Sequence, residues 1–260
     1  MPRFAANLSM MFNEWDFLDR FAAAADAGFE AVEFLFPYDF PSHLVGERLH
    51  QAGLTQALFN LPPGDWSKGE RGFAAIPARA NEVAGAIAQA LPYAKALGAS
   101  RVHLMAGLAD SADPKAIEAY GRAVANAAAM VGEHGLDLLI EPINPRDMPG
   151  YFLGSVDRAA ALIEKLAIPN LKLQFDIYHC QIIHGDVTMR LRRYLPLIGH
   201  VQIASVPSRH EPDGEEVNYP FFFDELDRLD YRGFVGCEYR PRGATLDGLS
   251  WFEPYRPTGD

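Results

Sequence analysis

Four residues near the ends of successive apolar runs carry the chemistry of this chain: Glu141, Asp176, Gln202 and Glu238. Leu-Asp-Leu-Leu-Ile precedes Glu141, and Leu-Lys-Leu-Gln-Phe precedes Asp176. A carboxylate buried after such a run is costly unless it finds a partner. Three acids and one amide offer oxygen donors and no thiolate. That set suits a hard divalent ion, Mg²⁺ or Mn²⁺, better than zinc. Without a cation, three clustered carboxylates would repel one another. One such acid alone reads equally well as a strand-end cap or a salt-bridge partner. Four on successive runs point to a metal centre.

Other polar residues fall at matching places. Asn7 lies in the first apolar run, Glu33 in the second, Asn60 at the end of the third and His103 in the fourth. His103 reads equally well as an interior histidine with its hydrogen bonds satisfied. His200 precedes Gln202 by two, so the two share one face of a strand. His179 follows Asp176 by three and is expected on the loop above the same site, placed to bind substrate. A polar loop follows the seventh run, with Ser205, Ser208, Arg209, His210 and Glu211. Arg209 is the candidate cation for a substrate carboxylate or hydroxyl; a surface pair with Glu211 or Asp213 is its alternative. Asn7 and Asn60 are further candidate substrate contacts. The segment from Pro62 to Gly72, containing Gly64-Asp65-Trp66, is long enough to act as a lid. Its glycine spacing matches neither a P-loop nor a dinucleotide fingerprint. There is no G-x-S-x-G nucleophile motif.

The elements that must position these residues alternate along the chain. Strands are predicted at Phe4–Ser9, Ala31–Phe36, Leu54–Asn60, Arg101–Ala106, Leu136–Glu141, Leu171–Asp176, His200–Ala204 and Phe234–Glu238. Helical patterns follow at Glu14–Ala27, Ser42–Ala52, Ala78–Leu97, about Pro114–His134, Ser155–Leu166, Asp186–Tyr194 and Phe221–Leu229. Trp15, Leu18, Phe21 and Ala22 supply the apolar face of the first, and Gly28 its stop. Pro114 suits a first helical turn, and Ser155 an N-cap. Eight strand–helix units without a linker give an α/β fold, a single (β/α)₈ TIM barrel spanning residues 1–260. A doubly wound open sheet is the competitor, and it accommodates eight units less well. In such barrels the chemistry sits at the C-terminal ends of the strands.

Composition sets limits on function. The 260 residues hold 23 Lys+Arg against 34 Asp+Glu, a net charge of −11. Nucleic acid is therefore excluded as a main partner, because its binding rests on clustered cations. An anionic membrane surface is disfavoured for the same reason. A small anionic substrate stays admissible through one local cation. Hydrophobic residues at 49% and charged residues at 22% exclude a disordered or fibrous chain. Cys180 and Cys237 are too few for a disulfide framework or a cysteine zinc site. They read as buried thiols in a reducing compartment. The N-terminal segment lacks a signal-peptide pattern, and no apolar run reaches the ~18 residues of a membrane span. A cytoplasmic protein is expected.

Several motifs together resemble the hydroxypyruvate isomerase family. They are Phe4-Ala5-Ala6-Asn7-Leu8-Ser9-Met10-Met11-Phe12, Val32-Glu33-Phe34-Leu35-Phe36-Pro37-Tyr38, Gly64-Asp65-Trp66, Glu141-Pro142-Ile143-Asn144, Asp176-Ile177-Tyr178-His179, Arg209-His210-Glu211-Pro212 and Gly236-Cys237-Glu238-Tyr239. The likeness runs from Met1 to about Arg256. It implies a xylose-isomerase-like TIM barrel. It also implies interconversion of hydroxypyruvate and tartronate semialdehyde, or, in a close branch, of 2-oxo-tetronate and 3-oxo-tetronate. It maps metal binding to Glu141, Asp176, Gln202 and Glu238, makes the two glutamates the acid/base pair, and suggests a homo-oligomer. The slot of Gln202 is histidine in ketose 3-epimerases, so Gln202 favours the small-acid isomerases. Ser205-Val206 stands where many hydroxypyruvate isomerases have Asp-Asn, which favours the tetronate branch. Glu141-Pro142-Ile143-Asn144 favours the other. The substrate stays divided between a C3 and a C4 acid.

The expected reaction moves a carbonyl between adjacent carbons through an enediolate, with one glutamate removing a proton and the other returning it. Which glutamate is the base stays open. A ketose 3-epimerase is the alternative of like chemistry. A non-catalytic metal or sugar-acid binding protein is the alternative of another class. A barrel endonuclease would want a richer histidine set and a basic face.

Overall fold

The computed structural model describes residues 1–256. Eight parallel strands pair in sequence order, and the last pairs with the first to close a barrel. They are β1 (Arg3–Asn7), β2 (Ala31–Phe34), β3 (Thr55–Asn60), β4 (Arg101–His103), β5 (Asp137–Ile140), β6 (Leu171–Asp176), β7 (Ile198–Ile203) and β8 (Phe234–Cys237). The helices between them are α1 (Arg20–Asp26), α2 (Ser42–Gln51), α3 (Val83–Leu97), α4 (Pro114–Gly132), α5 (Val156–Leu166), α6 (Ile177–Ile183), α7 (Val187–Tyr194) and α8 (Tyr219–Arg228). No helix among the described residues is long and apolar enough to cross a membrane. Cys180 and Cys237 are buried and unpaired.

The expected barrel is the observed one, and local chemistry explains its elements. Pro114 opens α4, and the Asp113 carboxylate accepts the Lys115 N–H at 2.9 Å. Small residues at helical spacing along α4, from Ala116 to Val131, are buried against the sheet. Ser155 caps α5 as the sequence suggested, its hydroxyl accepting the Arg158 N–H.

Three elements depart from expectation. The helix expected from Glu14 starts only at Arg20, after a 3₁₀ turn at Phe17–Asp19. The Glu14 carboxylate is drawn away to Thr245, whose hydroxyl donates to it at 3.0 Å. Trp15 therefore precedes the helix, and its ring is exposed. The helix expected from Ala78 begins at Val83. There the Arg79 guanidinium is held by Glu70 at 2.6 Å and Glu82 at 2.8 Å, fastening the chain to the loop after β3. Finally, His179 is not on a loop. It lies in α6, a short helix capped by the Asp176 carboxylate, which accepts the Tyr178 N–H at 2.8 Å.

Alternation along the strands sorts the barrel interior into levels. At the bottom, Ala5, Ala31 and Ala57 form their own small apolar cluster, against which Phe234 packs. Two residues further along β1 and β2 come Asn7 and Glu33. Two and four residues beyond Phe234 come Gly236 and Glu238. The strand register slips just before Glu33 and just before Gln174. Such irregularities re-aim side chains, and both residues belong to the polar layer described next.

Candidate active site

The polar layer crosses the barrel as one hydrogen-bonded network. Glu33 is buried and accepts at both carboxylate oxygens. Asn7 Nδ2 donates to Oε1 at 2.9 Å, Gln202 Nε2 to Oε1 at 2.8 Å, and His200 Nε2 to Oε2 at 2.6 Å. Gln202 Oε1 in turn accepts from Gln174 Nε2 at 2.6 Å. His200 and Gln202 do share a strand face, and both spend it on Glu33. The glutamate reaches across because β8 carries Gly236 opposite: a Cβ there would lie 2.2 Å from Glu33 Oε2.

Above this floor stand the carboxylates. Glu141 follows the last residue of β5, Asp176 ends β6, and Glu238 follows β8. Glu141, Gln202 and Glu238 border one small cavity of about 20 Å³, with Asn7 and Asn60 also in its wall. Asp176 stands beside Glu141. The structure thus gathers the residues singled out on strands five to eight at one end of the barrel. Glu141 Oε1 and Asp176 Oδ2 have no hydrogen-bond partner among the described residues. Ligand atoms of Glu141, Asp176 and His179 lie within 4.8 Å of one another, a cluster that could hold a metal ion. Unpartnered buried carboxylate oxygens are the donors a hard divalent cation takes.

Burial governs the protonation of this group. Glu141 is pushed well above the usual carboxylate range, by burial first and then by Glu238 and Asp176. Asp176 is raised to about 6 by burial. Glu238 is raised to about 8 by burial, with the Arg209 guanidinium pulling the other way. Such values mark carboxyls that a cation would drive to ionise.

His179 is buried, and its contact with Asn144 sets its tautomer. Asn144 Oδ1 accepts the Asp147 N–H at 2.9 Å, which turns Asn144 Nδ2 toward His179 Nδ1 at 2.7 Å. Nδ1 is then an acceptor, and the neutral ring carries its proton on Nε2. That N–H faces Asp176 Oδ2 at 3.5 Å and Glu141 Oε1 at 3.9 Å. Burial holds the imidazole well below its ordinary pKa, so it is a neutral donor. The ring therefore presents an N–H donor toward the two carboxylates.

Arg209 sits with positive φ (60°) at the end of β7's loop, its N–H bonded to Ser205 O and its carbonyl accepting the Arg240 N–H. Its guanidinium holds Asp147 at 3.1 Å and Glu238 at 3.4 Å and lies over the Tyr178 ring. The surface pair considered from sequence is absent: Glu211 and Asp213 pair with Arg242 instead. A cleft of about 360 Å³ opens above, walled among others by Asn60, His103, Glu141, His179, Arg209 and Glu238. Trp66 and Arg71 of the expected lid segment form its rim, the guanidinium stacked 3.7 Å from the indole. Asn60 therefore faces the cleft, whereas Asn7 lies deeper, bound to Glu33. Sequence reasoning passed over Asn144 and Asp147, though both follow Glu141 closely. Glu33 stood out as a polar residue at a matching strand position but without its partners, and Gln174 did not stand out at all.

A closed parallel barrel with acids grouped at the C-terminal ends of its strands defines a class. Residues 21–255 match the family described as "Xylose isomerase-like TIM barrel". Within it, the chain is 55% identical over 257 residues to 2-oxo-tetronate isomerase of Cupriavidus necator, covering 98% of this chain and 99% of that one. It is 44% identical over 259 residues to hydroxypyruvate isomerase of Escherichia coli, covering 98% and 100%. A crystal structure named AP endonuclease, family 2, from Brucella melitensis superposes with TM-score 0.96 at 51% identity, covering 99% of this chain and 100% of that one. The chain belongs to the hydroxypyruvate and 2-oxo-tetronate isomerase family.

Proposed function

We propose that this protein interconverts a small 2-oxo-hydroxy acid and its 3-oxo isomer. The substrate is hydroxypyruvate or the C4 acid 2-oxo-tetronate, the compounds named for its relatives. The observation that carries the reading is that Glu141 and Glu238 face one cleft beside a cluster of unpartnered buried carboxylate oxygens. In this reading Glu141, Asp176, Gln202 and Glu238 hold a divalent ion, Mg²⁺ or Mn²⁺. Gln202 Oε1 keeps a lone pair beyond the one given to Gln174. When bound, the ion polarises the carbonyl and acidifies the neighbouring C–H.

The chain's own residues do the rest. One of Glu141 and Glu238 removes the proton, and the other delivers one to the adjacent carbon. Arg209, anchored by Asp147, steadies Glu238 and places positive charge beside the substrate. The Nε2–H of His179 orients a substrate oxygen. Trp66 and Arg71 shield the cleft from one side. An endonuclease activity, as the name of the Brucella melitensis protein would suggest, meets a chain of net charge −11 and finds no support here.

The test is NMR of hydroxypyruvate and 2-oxo-tetronate with the protein in D₂O, with and without Mg²⁺ or Mn²⁺. Deuterium entering the carbon next to the carbonyl, dependent on the ion, is the expected result. Comparison of the two rates separates the C3 from the C4 acid. Binding without exchange would leave a non-catalytic binding protein. Exchange confined to a ketose such as fructose would mean a 3-epimerase.

A further inference from the structure

We infer that His103 is a substrate-binding residue, and that His103 Nε2 and Glu141 Oε2 together hold one hydroxyl of the substrate. The inference rests on the isomerase reading above and adds a subsite to it. His103 ends β4, paired in register with Asn60 of β3, so both stand at the same level of the barrel wall. Its ring is 1% exposed and borders the cleft. Neither ring nitrogen has a hydrogen-bond partner among the described residues. A buried, unpartnered polar group is costly, and a fold rarely keeps one without a use. An aliphatic side chain would fill this place at lower cost.

The geometry says what the group would meet. His103 Nε2 lies 3.9 Å from Glu141 Oε2. That is too far for a direct hydrogen bond, and it is the separation that one oxygen can span from the side at about 2.8 Å to each. With the ring proton on Nε2, the bridging atom would accept from that N–H and donate to the carboxylate. A hydroxyl does both. A carboxylate oxygen cannot donate, and would be repelled by Glu141. On the opposite side of Glu141, His179 Nε2 stands at the same distance, 3.9 Å, from Oε1. Glu141 is thus flanked by two imidazoles, one on each oxygen. The substrate class follows: an oxo acid bearing a hydroxyl next to its reacting carbon.

The experiment compares wild type, His103→Leu and His103→Gln, each loaded with Mg²⁺. Three quantities are read: kcat and KM for hydroxypyruvate and 2-oxo-tetronate, the calorimetric Kd for glycerate as an unreactive hydroxy acid, and Tm. For His103→Leu, KM and the glycerate Kd should rise about tenfold or more. Its Tm should equal or exceed that of wild type, because an unpaired polar group has been removed. His103→Gln, which keeps an N–H donor, should recover part of the affinity. Glycerate binding unchanged in His103→Leu overturns the subsite. So does a joint loss of binding and several degrees of Tm that glutamine does not restore, which would make the residue structural. So does a wild type that binds no glycerate. A wild type that binds glycerate tightly but isomerises neither acid overturns the functional reading and leaves the subsite standing.

Discussion

The side-chain amide of Asn144 stands 2.7 Å from His179 Nδ1 and sets that ring's tautomer. The amide cannot turn over without losing the Asp147 N–H that its oxygen accepts. ¹⁵N NMR of the imidazole should therefore show a neutral His179 protonated on Nε2 from pH 6 upward. In Asn144→Leu the ring loses that constraint, and the Nδ1–H form should appear. Turnover should fall about tenfold, the size expected for one lost orienting hydrogen bond. A wild-type signal showing Nδ1–H would refute the assignment.

The acids should separate by substitution. Glu141 and Asp176 belong to the cluster of ligand atoms within 4.8 Å, whereas Glu238 stands outside it, paired to Arg209 at 3.4 Å. Asp176→Asn should weaken Mn²⁺ binding more than tenfold. Glu238→Gln keeps an oxygen donor toward the ion, so it should weaken Mn²⁺ binding less than Asp176→Asn does, yet lose about 10²–10⁴ in kcat, the usual worth of a positioned acid or base. Manganese EPR titration beside a turnover assay decides. Near-normal turnover in Glu238→Gln would remove it from the mechanism.

Much of the barrel was legible because its signals are local. Apolar runs, glycine stops and the caps at Asp113 and Ser155 lie within a few residues of what they specify. Asp176, Gln202 and Glu238 were legible for a related reason: a strongly polar side chain at the end of an apolar strand stands out without knowledge of its partners. What stayed hidden depends on distant residues. Glu14 leaves its expected helix for Thr245, and Arg79 delays α3 by reaching back to Glu70. The helix holding His179 is seven residues long, too short for periodicity to register, and its cap, Asp176, had already been read as a strand end. Arg209 was picked out as a cation near the site, but its partners Asp147 and Glu238 lie 62 and 29 positions away, and spacing offered only Glu211 or Asp213 as an alternative pair. The Glu33 network joins residues 167 and 169 positions apart, and no spacing announces it.

Metal-free protein should lose stability as pH rises from about 6.5 to 8.5. Asp176 at about 6, Glu238 at about 8 and Glu141, pushed well above the usual carboxylate range by burial, all titrate above their unfolded values near 4. The folded state then holds more protons than the unfolded one, and raising the pH through the folded values removes that stabilisation. Below about pH 6.5 the buried His103 and His179, shifted downward, act in the opposite sense, so the carboxyls act unopposed by them only above it. Tm in EDTA should fall by about 2–4 °C across the upper window. Mg²⁺ should restore it, with a shift that grows with pH, and calorimetry in two buffers should show proton release on binding. A metal-free Tm that climbs through the same window would contradict the burial of these acids.

The close approach of Gly236 and Glu33 gives a prediction about the floor of the site. An added Cβ would sit 2.2 Å from Glu33 Oε2, the oxygen that holds His200 at 2.6 Å. Gly236→Ala must therefore displace the carboxylate, and His200, Gln202 and Asn7 would lose their common acceptor. Leaving buried donors unpaired costs about 1–3 kcal/mol for each; with the displaced carboxylate keeping part of the three contacts, the variant should lose roughly 2–4 kcal/mol. For a chain of this size that is about 5–15 °C in Tm. Glu33→Asp withdraws the carboxylate by one methylene and should make room. The double variant should then be more stable than the sum of the two single effects predicts, by about 1 kcal/mol or more. Strict additivity in thermal or urea unfolding would show that Gly236 is tolerated for some other reason. The same displacement turns the Gln202 amide, whose nitrogen is held only by Glu33. Gly236→Ala should therefore also weaken Mn²⁺ binding if the oxygen of Gln202 faces the ion, although Gly236 has no side chain with which to touch it.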